Sequence, residues 1–273
     1  MEDIKHIYSY KFLTIITSLF IIFSVWRIAL VFLPIANLDQ AVQIWAASYQ
    51  FTAWVGAVLG FYLSRSWGGY KSLIGRASIA FSIGLLMQSF GQSVFSYYFY
   101  SGIELPYPSI ADIGFFGSIP FYIYGMMLLA KSSGATISLR SLLSKLQVVI
   151  VPAIILGSSY LIFLKDYDFS ATGGLQVFLD FGYPLGQAIY ISIAILAYTL
   201  TRNLLGGMMK KVIIFFIMAL VAQYVSDYLF LYQSLHGTFI GGGIVDFLYS
   251  TSYFLMGMSL VELGITFEKI KNS

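Results

Sequence analysis

Residues 12–33 read FLTIITSLFIIFSVWRIALVFL, an apolar run whose single charge is Arg27. A helix of about 20 residues spans the roughly 30 Å hydrocarbon layer of a bilayer, so this stretch decides the fold class. Seven further stretches of the same kind follow at about 43–64, 74–98, 109–130, 143–164, 175–200, 209–233 and 243–264. The segments between them are basic and basic-free in turn. Thirteen of the 15 Lys and Arg residues fall on one side: Lys5 and Lys11, then Arg65, Lys71 and Arg76, then Lys131, Arg140 and Lys145, then Arg202, Lys210 and Lys211, and finally Lys269 and Lys271. The alternate connections hold only Lys165, beside Asp166 and Asp168. Basic residues stay on the cytoplasmic side of a membrane. The pattern therefore predicts an all-α integral membrane protein with eight transmembrane helices, both termini cytoplasmic, in the cell membrane.

Composition agrees. Apolar residues make up 59% of the chain and charged residues 10%, whereas soluble domains carry about 25% charge. The net charge of +3 is accounted for by topology, and no basic cluster is dense enough to track a phosphate backbone, so nucleic acid is not an expected partner. The first stretch is too long for a signal-peptide core and lacks a small-residue cleavage site, which makes it a retained helix. Eight spans leave almost nothing for a soluble domain. The expectation is one transmembrane domain over residues 1–273, with residues 265–273 as a cytoplasmic helical tail.

Within the apolar frame, an Asp followed three residues later by an aromatic recurs near the start of three even-numbered stretches. These are Asp112 with Phe115, Asp180 with Tyr183 and Asp246 with Tyr249, spaced by 68 and 66 residues. Asp39 and Gln40 give a weak echo ahead of the second stretch. Each repeat is thus a hairpin of two spans, and four hairpins group as 4+4 over residues 1–135 and 136–273. Units with an even number of spans run parallel, about an axis along the membrane normal. The odd-numbered stretches carry polar residues towards their outer ends: Ser24 and Arg27, Gln88 and Gln92, and Gln223, Ser226 and Asp227. Gln92 and Gln223 share a Gln-x-Val…Tyr context in one reading of the repeat. Polar groups therefore gather in the outer third of the bundle.

A charge inside a span is costly and usually faces the bundle interior with a partner. Arg27 and Asp227 lie at matching depth, roughly 9 Å below the helix ends at 1.5 Å per residue, which allows a salt bridge between the first and seventh spans. That bridge would be either a ligand anchor or a packing device, and Arg27 could instead snorkel to the headgroups. Asp112, Asp180 and Asp246 would serve as helix-start acids stabilised by the macrodipole, with Ser109 and Asp112 at capping-box spacing. The alternative is a shared layer of carboxylate–Tyr contacts lining an outward-facing cavity, with Asp180 foremost. The candidate ligand-binding set is Arg27, Gln92, Asp112, Asp180, Tyr183, Gln187, Gln223, Asp227, Asp246 and Tyr249. Of the 21 Tyr, Tyr97, Tyr98, Tyr100, Tyr107 and Tyr232 suit an interfacial belt, whereas Tyr190 and Gln187 lie deeper. Gly56-x-x-x-Gly60 permits close helix contact.

Several chemistries have no residues to carry them. There is no cysteine, hence no disulfide, thiol nucleophile or thiolate metal site. His6 and His236 fall at opposite membrane faces, which leaves no bis-His haem or metal constellation. No Lys lies within a span to form a Schiff base, and phosphate-loop and hydrolase motifs are missing. Neither catalysis nor a cofactor is expected.

The segment Pro108-Ser109-Ile-Ala-Asp112-Ile-Gly-Phe-Phe-Gly-Ser-Ile-Pro120 resembles the Pro-Ser-x-Ala-Asp-x-x-Tyr-Leu-x-x-Tyr-Pro segment of polytopic N-terminal membrane sensor regions. Such regions precede histidine kinase or diguanylate cyclase modules in bacterial and archaeal signalling proteins. Asp180-Phe-Gly-Tyr183-Pro184-Leu-Gly-Gln187 is similar to their Tyr-Pro-Leu-Gly-Asp segment, with Gln187 where the group often has Asp. Asp246-Phe-Leu-Tyr249, followed by Gly257 and Met258, is similar to their last helix. The resemblance implies a sensory role without naming a stimulus, and no output module follows Glu262-Leu-Gly-Ile-Thr-Phe-Glu-Lys-Ile-Lys. The expected function is a non-enzymatic receptor module that binds a small or lipid-like ligand and signals to a cytoplasmic partner. An accessory membrane subunit and a small-solute transporter or channel are the alternatives. The expected partners are the bilayer and a cytoplasmic signalling protein or other membrane subunit.

Overall fold

A computed structural model describes residues 3–35, 37–103, 106–132, 142–161, 173–201 and 208–272. Lys165, Asp166, Asp168, Arg140 and Arg202 lie outside these residues. The described residues are helical, without a strand. The helices are α1 (Asp3–Phe32), α2 (Leu38–Ser48), α3 (Phe51–Ser64), α4 (Leu73–Tyr100), α5 (Ile110–Ser132), α6 (Leu142–Ser159), α7 (Gly174–Thr201), α8 (Met208–Leu235) and α9 (Ile244–Asn272), with a 3₁₀ turn at Gly69–Lys71. By length and composition, six of them could cross a membrane: α1, α4, α5, α7, α8 and α9.

Of the other two apolar stretches, the second differs from the sequence expectation. Residues 43–64 do not form one helix but pass from α2 to α3 through Tyr49 and Gln50. Both residues keep right-handed helical dihedrals, while Thr52 N–H bonds to Tyr49 O at 3.0 Å and Ala53 N–H to Gln50 O at 2.9 Å. These three-residue bonds tighten the turn, a local geometry often found at hinges. The fifth stretch forms α6, Leu142–Ser159, and residues 162–164 lie outside the described residues.

Helix starts are fixed by side chains that satisfy otherwise unpaired N–H groups. Ser72 Oγ accepts from Gly75 N–H at 2.9 Å to begin α4. At α5 the bonds are reciprocal: Ser109 Oγ accepts from Ala111 N–H at 3.2 Å, and Asp112 Oδ2 accepts from Ser109 N–H at 2.7 Å. The capping spacing read from the sequence therefore forms. Asp246 does similar work at α9, accepting from Gly242 N–H at 2.5 Å. Gly242 has φ 74°, a left-handed conformation that a side chain would strain.

Six helices pack in a cycle, α3–α4–α5–α7–α8–α9 and back to α3, while α1 lies against α9 and α3, and α6 against α7. Inside the cycle Phe81 stacks on Phe216 with centroids 4.1 Å apart. Tyr122, Met126, Leu129 and Leu260 are buried around them. Small residues permit close approach, since Gly56 of α3 faces the backbone of Gly257 in α9.

At the basic end, α9 does not detach after Leu263. Leu263, Gly264, Ile265 and Thr266 are buried, because Trp67 Nε1–H bonds to Leu263 O at 3.0 Å and Ser9 Oγ–H to Glu268 Oε1 at 2.5 Å. The helical tail expected from residue 265 thus begins inside the bundle. Glu262, only 3% exposed, pairs with Lys211 Nζ at 3.0 Å. Lys211→Met strands that carboxylate. Because the lysine is largely exposed, the expected loss is about 1–2 kcal/mol, below the value for a fully buried pair. Glu262→Gln should cost less, a ranking that denaturant titration of both variants checks.

Candidate functional site: a carboxylate–tyrosine cavity

At the opposite end, the C-terminal parts of α4 and α8 meet the N-terminal turns of α5, α7 and α9. Between them is a cavity of about 70 Å³, measured as space open to the centre of a water-sized sphere. One water needs roughly 10–15 Å³ by that measure, so several waters or a small ligand fit. Asp112, Asp227, Asp246 and Gln92 line it together with aromatic residues including Tyr183, Tyr249, Phe95, Phe115, Phe230 and Phe239.

Asp227 anchors its floor. Tyr249 Oη–H donates to Oδ1 at 2.6 Å, Gln223 Nε2–H to the same oxygen at 3.2 Å, and Gln187 Nε2–H to Oδ2. Gln223 is itself held, since Ser252 Oγ–H donates to its Oε1 at 3.0 Å. Asp246 accepts from Tyr49 Oη–H at 3.0 Å, and Asp112 from Tyr183 Oη–H at 2.8 Å. Carboxylates taken out of water need such donors, and neutral hydroxyls and amides supply them here.

The carboxylate–Tyr contacts follow one systematic pattern. A repeat's tyrosine does not bond its own Asp three residues earlier but an Asp on a neighbouring helix. Tyr183 of α7 reaches Asp112 of α5, and Tyr249 of α9 reaches Asp227 of α8. On a helix, residues i and i+3 lie one above the other on one face, so both point towards the adjacent helix. Tyr49 reaches Asp246 in the same manner. Tyr49 and Tyr183 stand 134 residues apart, as do Asp112 and Asp246. The two bonds therefore cross reciprocally between the halves of the chain.

Gln88 Nε2–H donates to Ser118 Oγ at 2.7 Å, which matches the Gln223–Ser252 contact. Gln88 and Gln223 are thus each paired with a serine of the following helix. Gln92 lines the cavity beside Phe115, is 4% exposed and has no side-chain hydrogen-bond partner among the described residues.

Two expected residues lie elsewhere. Arg27 does not pair with Asp227, whose oxygens are occupied by Gln187, Gln223 and Tyr249. Its guanidinium instead sits 5.6 Å from the centroid of the Trp45 ring, and its charge acts on Asp246. Trp45 is fixed in turn by donating to Phe23 O at 2.8 Å. Asp180, expected foremost on the wall, does not line the cavity but accepts from Tyr107 Oη–H at 2.6 Å. Tyr107 lines the cavity instead of serving only as interfacial belt. Sequence reading missed Tyr49 and Tyr253, the latter donating to Gln88 Oε1 at 3.3 Å. No motif marked them, because one lies in the turn between α2 and α3 and the other is one of several tyrosines along α9.

Tyr183→Phe removes the only side-chain bond to Asp112 from another helix. An interhelical hydrogen bond in a membrane protein is worth about 0.6–1.7 kcal/mol. That loss is expected in an unfolding titration, whereas Tyr107→Phe, at the exposed rim, should cost less.

Comparison with protein-family models, with curated proteins and with solved structures finds no match for this chain. Among the described residues no group of three or more His, Cys, Asp or Glu side chains is placed to hold a metal ion.

Proposed function

We propose that this protein is a multi-pass membrane sensor that binds a small or lipid-like ligand in the carboxylate–tyrosine cavity and signals to a cytoplasmic partner. In this reading α2–α3 and α6 supply two further crossings, giving eight in the cell membrane with both termini cytoplasmic. The cavity then faces outwards. The 4+4 repeat is supported by the reciprocal Tyr49–Asp246 and Tyr183–Asp112 bonds and by the stacking of Phe81 on Phe216, residues 135 apart. The observation that carries the sensory reading is α9. One helix holds Asp246 and Tyr249 on the cavity, Glu262 about four turns on, and the exposed Lys269 and Lys271 about six turns on at the basic end. A ligand that favours one setting of α9 over another shifts that basic end. A transporter would need a path past Phe81, Tyr122, Met126 and Phe216, which fill the bundle below the cavity.

An accessory-subunit reading is favoured by α1, whose apolar span is only 17% buried and leaves a long face for lipid or another protein. Purification from native membranes with mass spectrometry of co-purifying species separates the two. A bound small molecule together with a signalling protein is expected. A membrane subunit alone would favour the accessory reading, and finding neither ligand nor signalling partner would sink the sensor.

A further inference from the structure

We infer that the cavity recognises a small organic cation, an ammonium group carried by a free amine or by a lipid headgroup. The inference rests on the receptor reading and names the chemistry of the same site. Among the described residues, the only acids and bases on the wall, tyrosines apart, are Asp112, Asp227 and Asp246, with no Lys, Arg or His. Their hydrogen-bond donors are all neutral: Tyr49, Tyr183, Tyr249, Gln187, Gln223, Ser109 and the Gly242 N–H. These bonds orient the carboxylates without cancelling their charge. Arg27, which acts on Asp246, lies over Trp45 and off the wall.

A second, independent observation points to a ligand. Gln92 is buried, faces the cavity and has no partner for its amide. Its amide opens onto the cavity and not onto a protein partner, and where the other half of the chain satisfies Asp227 with Tyr249 and Gln187, this half offers Phe115 and Ala53. A ligand N–H or O–H would bond to Gln92 Oε1. Gln92 and Asp246 also border a smaller adjoining pocket beside Gln43, Ser96 and Tyr100, so the polar surface continues past the amide.

The rest of the wall selects the kind of cation. No three acidic side chains converge as metal ligands among the described residues, which disfavours a compact inorganic ion. Phe95, Phe230 and Phe239 form an edge-to-face cluster with centroids 5.0 to 6.4 Å apart. Aromatic faces combined with carboxylates are the means by which proteins hold ammonium groups.

The test uses the full chain in nanodiscs of phosphatidylglycerol, which brings no amine, with thermal unfolding read against added choline, ethanolamine and the neutral choline isostere 3,3-dimethylbutan-1-ol. Saturable stabilisation by either amine, at least about tenfold tighter than by the isostere, is expected if the source is soluble. Stabilisation only when phosphatidylethanolamine or phosphatidylcholine is built into the disc identifies a headgroup, and supports the inference equally. Phe239→Leu, in a connecting segment, should weaken either response about tenfold. Gln92→Leu should raise the melting temperature without ligand and weaken the amine response, because it removes the unpaired amide. Equal stabilisation by the neutral isostere, or none from any amine or amine lipid, overturns the cation. A neutral or anionic compound from a native-membrane extract that stabilises the protein also overturns it but leaves the receptor standing. If no compound of any charge stabilises the protein, both fall.

Discussion

Gly114→Val is expected to destabilise the protein by about 3 kcal/mol, at the upper end of the usual cost of overpacking. A Cβ at Gly114 would lie 2.8 Å from the Cα of Gly91 and close to the Met87 carbonyl. Those are backbone atoms of α4 and have no rotamer by which to withdraw. Relief would come only from separating α4 and α5, and that separation breaks the Gln88–Ser118 bond and moves Phe115 away from the cavity. Unfolding titrated with a harsh detergent measures the loss. Gly157→Ala is the control, because nothing stands within 4 Å of that position and alanine is the better helix former. It should be neutral or slightly stabilising. A tolerated Gly114→Val would mean that α4 and α5 do not cross at their glycines.

Asp227→Ala is expected to cost about 2–4 kcal/mol. Two interhelical bonds, from Gln187 and Tyr249, are each worth about 0.6–1.7 kcal/mol, and three donors are left without an acceptor in a buried site. Asp227→Asn should lose less, since its carbonyl oxygen still accepts from Tyr249. A double-mutant cycle pairing Asp227→Ala with Tyr249→Phe separates the terms. Coupling of about 1 kcal/mol is expected; strict additivity would show that the 2.6 Å contact contributes nothing to the fold.

The polar layer was legible in the sequence because a carboxylate or amide inside an apolar run is conspicuous and needs a partner. Asp112, Asp227, Asp246, Tyr183 and Tyr249 line one cavity, and Gln187 and Gln223 bond to Asp227 beneath it. Who bonds whom was not legible. The depths of Arg27 and Asp227 matched, but depth fixes height along the membrane normal and not which helices are neighbours, and α1 packs on α9 and α3, not on α8. Asp180 shared the Asp-x-x-aromatic spacing yet accepts from Tyr107 outside the cavity wall, because spacing along one helix carries no information on the facing helix. The turn at Tyr49 was hidden for a different reason. An apolar run with helical dihedrals throughout gives no composition change where the hydrogen bonds tighten. Residues 265–273 read as a tail because Glu268, Lys269 and Lys271 suggest water, whereas Ile265 and Thr266 are buried in the bundle.

The position of α9 has a consequence for biogenesis. It follows in the chain every helix it packs against, and it carries groups that satisfy polar side chains on α8 and α4: Tyr249 for Asp227, Ser252 for Gln223, Tyr253 for Gln88 and Glu262 for Lys211. At about 5–20 residues per second, a ribosome takes roughly ten to thirty seconds to pass from the end of α4 to the end of α9. The Gln88 amide on α4 waits for that interval, and Asp227 and Gln223 on α8 for about two to seven seconds. A translocon-associated chaperone that shields polar faces in lipid would meet this chain before α9 does.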